Sequence, residues 1–195
     1  MLKSGAGHWG SLAKFFHWTT VALILVQGTI GLIMVELPKR PNVIPVFSFH
    51  KSLGLTILAF ATLRLLWRAF DPRPHEPPSV PGWQVVAARI GHVVLYALIF
   101  LVPLSGWWFD SVASLRPLYW FGLFQVPPLG GPDPTQPGLK EIAAERHAFL
   151  FWMLILIAAG HAAIALFHHF HDRDDVLRRM LPSRLRKRPV PSQGD

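Results

Sequence analysis

Residues 145–169 read ERHAFLFWMLILIAAGHAAIALFHH, and the fold follows from this stretch. A helix needs about 20 apolar residues to cross a hydrocarbon core about 30 Å thick, and this run is long enough. Two histidines, His147 and His161, lie inside it, 14 residues apart. That separation is about 21 Å along a helix. At about 100° per residue, 14 steps return to within about 40° of the starting direction. Both imidazoles therefore leave one face of the helix, one near each side of a bilayer. Ionisable groups inside a span are costly and face a bundle interior or a cofactor more often than lipid.

Three further apolar blocks precede this one. The reading places spans at about 12–35, 46–70, 85–109 and 139–170. The class is all-α, an integral membrane four-helix up-down bundle forming a single membrane domain over residues 1–195. Three prolines break the loop at 36–45, DPRPHEPPSVPG at 71–82 is a linker, and Pro103 is expected to kink the third span. The connection at 110–138 carries Tyr119, Trp120, Phe121 and Phe124. Aromatics there fit an interfacial belt with a short helix on the membrane. The apolar stretch after Phe15 is too long for a cleaved secretory signal and reads as a retained span.

Composition agrees. Hydrophobic residues are 51% of the chain and charged residues 15%. The net charge of +8 is concentrated: seven Lys/Arg lie between Arg173 and Arg188, in a basic tail at 171–195. A cluster beside a span faces anionic cytoplasmic lipid, so nucleic acid is not expected as a partner. The first, third and last polar segments with their flanks hold 13 of the 19 Lys/Arg, against 6 on the other side. The positive-inside rule then places both termini in the cytoplasm. There is no cysteine, which excludes disulfides, iron–sulfur clusters and thiolate or c-type haem attachment.

The ten histidines remain as candidate ligands. By depth, His50 in the second span matches His147, and His17 in the first matches His161. Two b-type haems stacked along the membrane normal would each take one such pair. The same spacing puts Gly31, 14 residues after His17, near the outer haem, where a glycine admits a porphyrin plane. Arg64, 14 residues after His50, should point to the inner haem and neutralise a propionate. Gly54 and Gly160 would also leave room for a macrocycle. Gly28 and Gly31 could instead mark helix packing. His92, one turn after Arg89, is either a helix-end polar contact or part of a quinone site. His168, His169 and His171 read better as a solvated helix end than as a metal site. His8 and His75 fall in segments expected to be flexible.

The segments FHW at His17, FHKSLG at His50, GHVVLYALIFLVPLSG at His92, the 145–169 stretch and LRRMLP after it together resemble the bacterial cytochrome b561 family. The likeness is to its superoxide oxidase-like branch and runs from about His17 to Pro182. The resemblance implies two haems b, each ligated through its iron by two histidines: His17 with His161, and His50 with His147. It also implies superoxide oxidation at the periplasmic side of a bacterial inner membrane, with ubiquinone as acceptor. His168, with His92 and Arg89, would then stand near the quinone. Lys51, Arg116, Lys140 and Arg146 could draw an anion to the outer face. The alternative is a non-catalytic di-haem subunit serving a redox partner protein such as a dehydrogenase or hydrogenase.

Overall fold

The computed structural model describes residues 1–38, 40–75, 81–113, 116–131 and 137–181. Four long apolar helices dominate: α1 Ser11–Glu36, α2 Ile44–Phe70, α3 Gly82–Ala113 and α4 Leu139–Phe167. Each is long and apolar enough to cross a membrane. Large side chains such as Phe149, Leu156 and Ile164 lie exposed along α4, as a lipid-facing surface requires. A short α5, Val176–Met180, follows.

Boundaries differ from the sequence reading where local chemistry extends or ends a helix. The second helix begins at Ile44 because Pro45 is tolerated in a first turn, where its missing N–H has no partner to lose. The third runs past both ends of its apolar block. The fourth passes into a π-helical turn at His168–Asp172 and stops at Arg173, whose φ of 54° cannot continue a right-handed helix.

Three sides of the bundle are packed: α1 on α2, α2 on α3, and α3 on α4. Among the described residues, α4 makes few close backbone approaches to α1 or α2. One buried cluster joins Ala61, Leu98, Ile99 and Leu154. Leu154 is midway between His147 and His161, so apolar side chains separate the two histidine levels.

The end bearing the termini is tied together. Ser4 donates through N (2.9 Å) and Oγ (2.6 Å) to the buried Asp71 carboxylate. The Arg68 guanidinium covers the Trp9 ring, and His75 N donates to the Ala6 carbonyl. Lys14 and Trp18 donate to the carbonyls of Leu181 and Met180, and Arg179 to that of His75. His8 and His75, expected in flexible segments, thus lie in a built strap. Of the basic tail, residues 182–195 lie outside the described residues, as do 76–80 of the linker and 132–136 of the long connection.

At the opposite end the expected surface helix is instead a two-stranded hairpin, β1 Tyr119–Trp120 and β2 Phe124–Gln125. Phe121 and Gly122 have φ of 45° and 76°, the positive values of the turns that suit hairpins. Ser52 Oγ donates to the Tyr119 carbonyl (3.1 Å) and accepts from Phe121 N (2.9 Å), while Trp120 Nε1 donates to Thr56 Oγ1. These side-chain bonds hold the hairpin against α2, which the amino-acid pattern of the loop alone does not reveal.

Candidate haem sites

The four histidines matched by depth meet in pairs. His17 of α1 faces His161 of α4 with ring centres 6.5 Å apart, and His50 of α2 faces His147 of α4 at 6.4 Å. All four are half-buried. The pairs span α1 with α4 and α2 with α4, combinations with few close backbone approaches among the described residues. His92 is more exposed and lies 5.2 Å from His161 by ring centres.

The surroundings of the rings are specific. His147 Nδ1 is 3.1 Å from the Val102 carbonyl and 3.0 Å from Ser105 Oγ. Ser105 Oγ itself donates to that carbonyl at 2.7 Å. The ring lies against Gly106, where a Cβ would come within 2.9 Å of Cε1. Across from it, the His50 ring lies against Gly31, whose added Cβ would be 3.1 Å from Cε1. Gly31 therefore stands at the outer level. Gly160 has open space around its Cα, and a Cβ on Gly54 would meet Gln27 Nε2 at 3.3 Å.

Arg64 reaches the inner level. Its Nη2 is 3.3 Å from His17 Nδ1, and its guanidinium lies 5.2 Å from the Tyr96 ring centre. A guanidinium can only donate, so this contact uses a lone pair on Nδ1. Ligation of a metal through Nε2 would place the proton on Nδ1 and free Arg64 for another acceptor.

The quinone candidates do not assemble. His168 Nδ1 pairs with Asp172 Oδ2 (2.7 Å) and Asp174 Oδ2 (3.2 Å), and Arg89 is exposed. Among the described residues no hydrogen bond, ion pair or ring contact joins His168, His92 and Arg89. His171 stacks on Phe167, and no group of three or more His, Asp or Glu side chains is arranged to hold a metal ion among the described residues. At the outer end Lys51 is paired with Asp110, and Arg146 lies over Trp108.

Facing imidazoles at two depths, on four helices long and apolar enough to cross a membrane, are the arrangement that a membrane cytochrome b would require. The chain belongs to the prokaryotic cytochrome b561 family, whose pattern it matches over residues 8–183. Cytochrome b561 homolog 2 of Escherichia coli K12 is 33% identical over 180 residues, covering 89% of this chain and 90% of the relative. Cytochrome b561 homolog 1 of the same organism is 28% identical, with 87% and 94% covered. The probable superoxide oxidase CybB of Yersinia pestis is 27% identical, with 86% and 92% covered. The protein is accordingly a membrane electron-transfer protein of a haem b family.

The residues present suit that cofactor. A metal–imidazole bond of about 2 Å, plus about 1.2 Å from nitrogen to ring centre, puts two coaxial ligand rings about 6.4 Å apart. The separations of 6.5 and 6.4 Å match this distance, and the 5.2 Å between His92 and His161 is too short for an intervening iron. Sequence reasoning missed Ser105, Gly106 and Gln27. The VPLSG segment at 102–106 held a signal for the first two, since a proline, a serine and a glycine together disturb a helix surface.

Proposed function

We propose that the protein binds two haems b, one between His17 and His161 and one between His50 and His147, and conducts electrons across the bilayer. The observation that carries this reading is the presence of two imidazole pairs at iron-bridging separation, about 21 Å apart along α4. Held by His17 with His161 and by His50 with His147, such haems would supply one-electron outer-sphere transfer.

The residues of the chain then divide the remaining work. Ser105 and the Val102 carbonyl orient His147, fixing its proton on Nδ1 and its lone pair on Nε2. Arg64 supplies positive charge at the inner level, suited to a propionate carboxylate. The apolar layer around Leu154 excludes water between the levels.

For the reaction, superoxide is oxidised to dioxygen at the outer face, giving one electron per molecule. Two electrons and two protons then convert ubiquinone to ubiquinol. His168, held by Asp172 and Asp174, is suited to supply a proton at the inner end, and His92 and Arg89 remain the other candidates beside the quinone. The name of the Yersinia relative supports the superoxide step. Both termini are cytoplasmic in this reading, and lipid surrounds the one membrane domain formed by the chain.

Mixing purified protein and ubiquinone with a steady superoxide source tests it: quinol should form faster than without protein. No acceleration would overturn the oxidase reading. One observation favours the alternative of a non-catalytic di-haem subunit. Lys51 is neutralised by Asp110 and Arg146 is engaged with Trp108, so two of the four outer cations are less available to attract an anion. Co-purification with a catalytic redox subunit would support that alternative.

A further inference from the structure

The two imidazoles at the outer level are held unequally. His147 Nδ1 has two oxygen neighbours, the Val102 carbonyl and Ser105 Oγ. His50 Nδ1 is shut off from solvent and makes no hydrogen bond. A histidine that ligates a metal through one ring nitrogen carries its proton on the other, and almost always donates it to an acceptor.

Gln27 of α1 stands across the seam from His50. Its Nε2 donates to the His50 backbone carbonyl at 2.8 Å, while its Oε1 is a second buried polar atom without a partner. The edge of the His50 ring bearing Cε1 and Nδ1 faces α1 at Gly31, one turn beyond Gln27. A Cβ there would lie 3.1 Å from Cε1 and 3.7 Å from Nδ1. An orphan donor and an orphan acceptor thus belong to two residues already joined by a hydrogen bond. The Gln27 backbone carbonyl is also directed at the ring and, like the Val102 carbonyl at His147, has a second lone pair beside its helix-ladder bond. The side-chain oxygen is a further acceptor on the same residue, and Gln27 variants separate the two because they leave the backbone carbonyl in place.

We propose that Gln27 is the positioning residue for His50: its amide NH2 holds the His50 carbonyl, and its amide oxygen accepts the imidazole Nδ1–H when Nε2 ligates iron. A side-chain amide carries both functions on one carbon. Accepting that proton raises ligand basicity, stabilises the ferric state and lowers the potential of the outer haem. The inference rests on His50 being a haem ligand.

Redox titration of the haem-loaded protein, followed in the visible bands, tests it. A His161→Ala background, which should retain the outer haem alone, assigns the potentials. Gln27→Leu should raise the outer potential and leave the inner one unchanged. Gln27→Glu keeps an acceptor and the side-chain volume, and should titrate at or below the wild-type outer potential. A helix clamp acting only through the His50 carbonyl would change stability without this ordering. Unchanged potentials in Gln27→Leu, or a rise in Gln27→Glu as large as in the leucine variant, would overturn the proposal. Should Gln27→Leu fail to fold, the glutamate variant decides alone: at or below wild type supports the role, above it overturns the role. Retention of both haems by His50→Ala would overturn the ligand assignment itself. Loss of one haem there, with potentials insensitive to Gln27, would overturn the role of Gln27 alone.

Discussion

His161 stands 6.5 Å from one imidazole and 5.2 Å from another by ring centres, and the two neighbours carry opposite expectations. His161→Ala should halve the haem-to-protein ratio measured after extraction. His92→Ala should leave that ratio unchanged; a halved ratio there would assign the inner ligand to the wrong residue. Gly106→Ala places a methyl 2.9 Å from His147 Cε1, closer than a side chain tolerates. Either the ring or α3 must shift, and the outer haem should be lost faster on dilution into a haem scavenger. The four ligand candidates were legible in sequence because a 14-residue spacing constrains both direction and depth. Gln27 and Ser105 were not, because a polar residue at a given depth does not name its neighbour. Their roles depend on which helices lie side by side, and helical periodicity carries no information on that. Spacing sets Arg64 at the depth of His17, but its contacts with His17 and Tyr96 are not readable from spacing.

Two hydroxyls of α2, on Ser52 and Thr56, bond the hairpin Tyr119–Gln125, and Ser52 makes two of the three bonds. Ser52 is 1% exposed and bonds two backbone groups of the hairpin. Ser52→Ala removes the side-chain partner of a part-buried carbonyl and a part-buried N–H, for a loss of about 1 kcal/mol. Thermal unfolding should show it, with faster amide exchange concentrated at 116–131; protection equal to wild type would mean that the hairpin holds itself. Long apolar periods made the spanning helices legible to within a few residues. The hairpin was misread because its aromatic content also suits an interfacial helix, and the deciding features, a turn of positive φ at Phe121–Gly122 and a tertiary bond to Ser52, are not properties of hydropathy. The strap at the terminal end was missed for a similar reason. Ser4 and Asp71 are 67 residues apart in the chain, and neither stands out in its own segment.

For the molecule as a whole, four antiparallel helices bring the N-terminal strap and α5 to one end, and we propose from the Lys/Arg distribution that this end is cytoplasmic. A periplasmically active reporter should be inactive when fused after Asp195 and active when inserted at 131. Activity in the first fusion would invert the topology.

The sparse backbone approach of α4 to α1 and α2 bears on how the protein matures. If the haems of the proposed function bridge that seam, which side chains such as Phe151 beside Gly28 close only in part, they would serve as mortar as well as wire. Cells starved of porphyrin should then insert all four spans normally yet accumulate little of the chain, because membrane proteases could engage a half-closed barrel of helices before it is sealed.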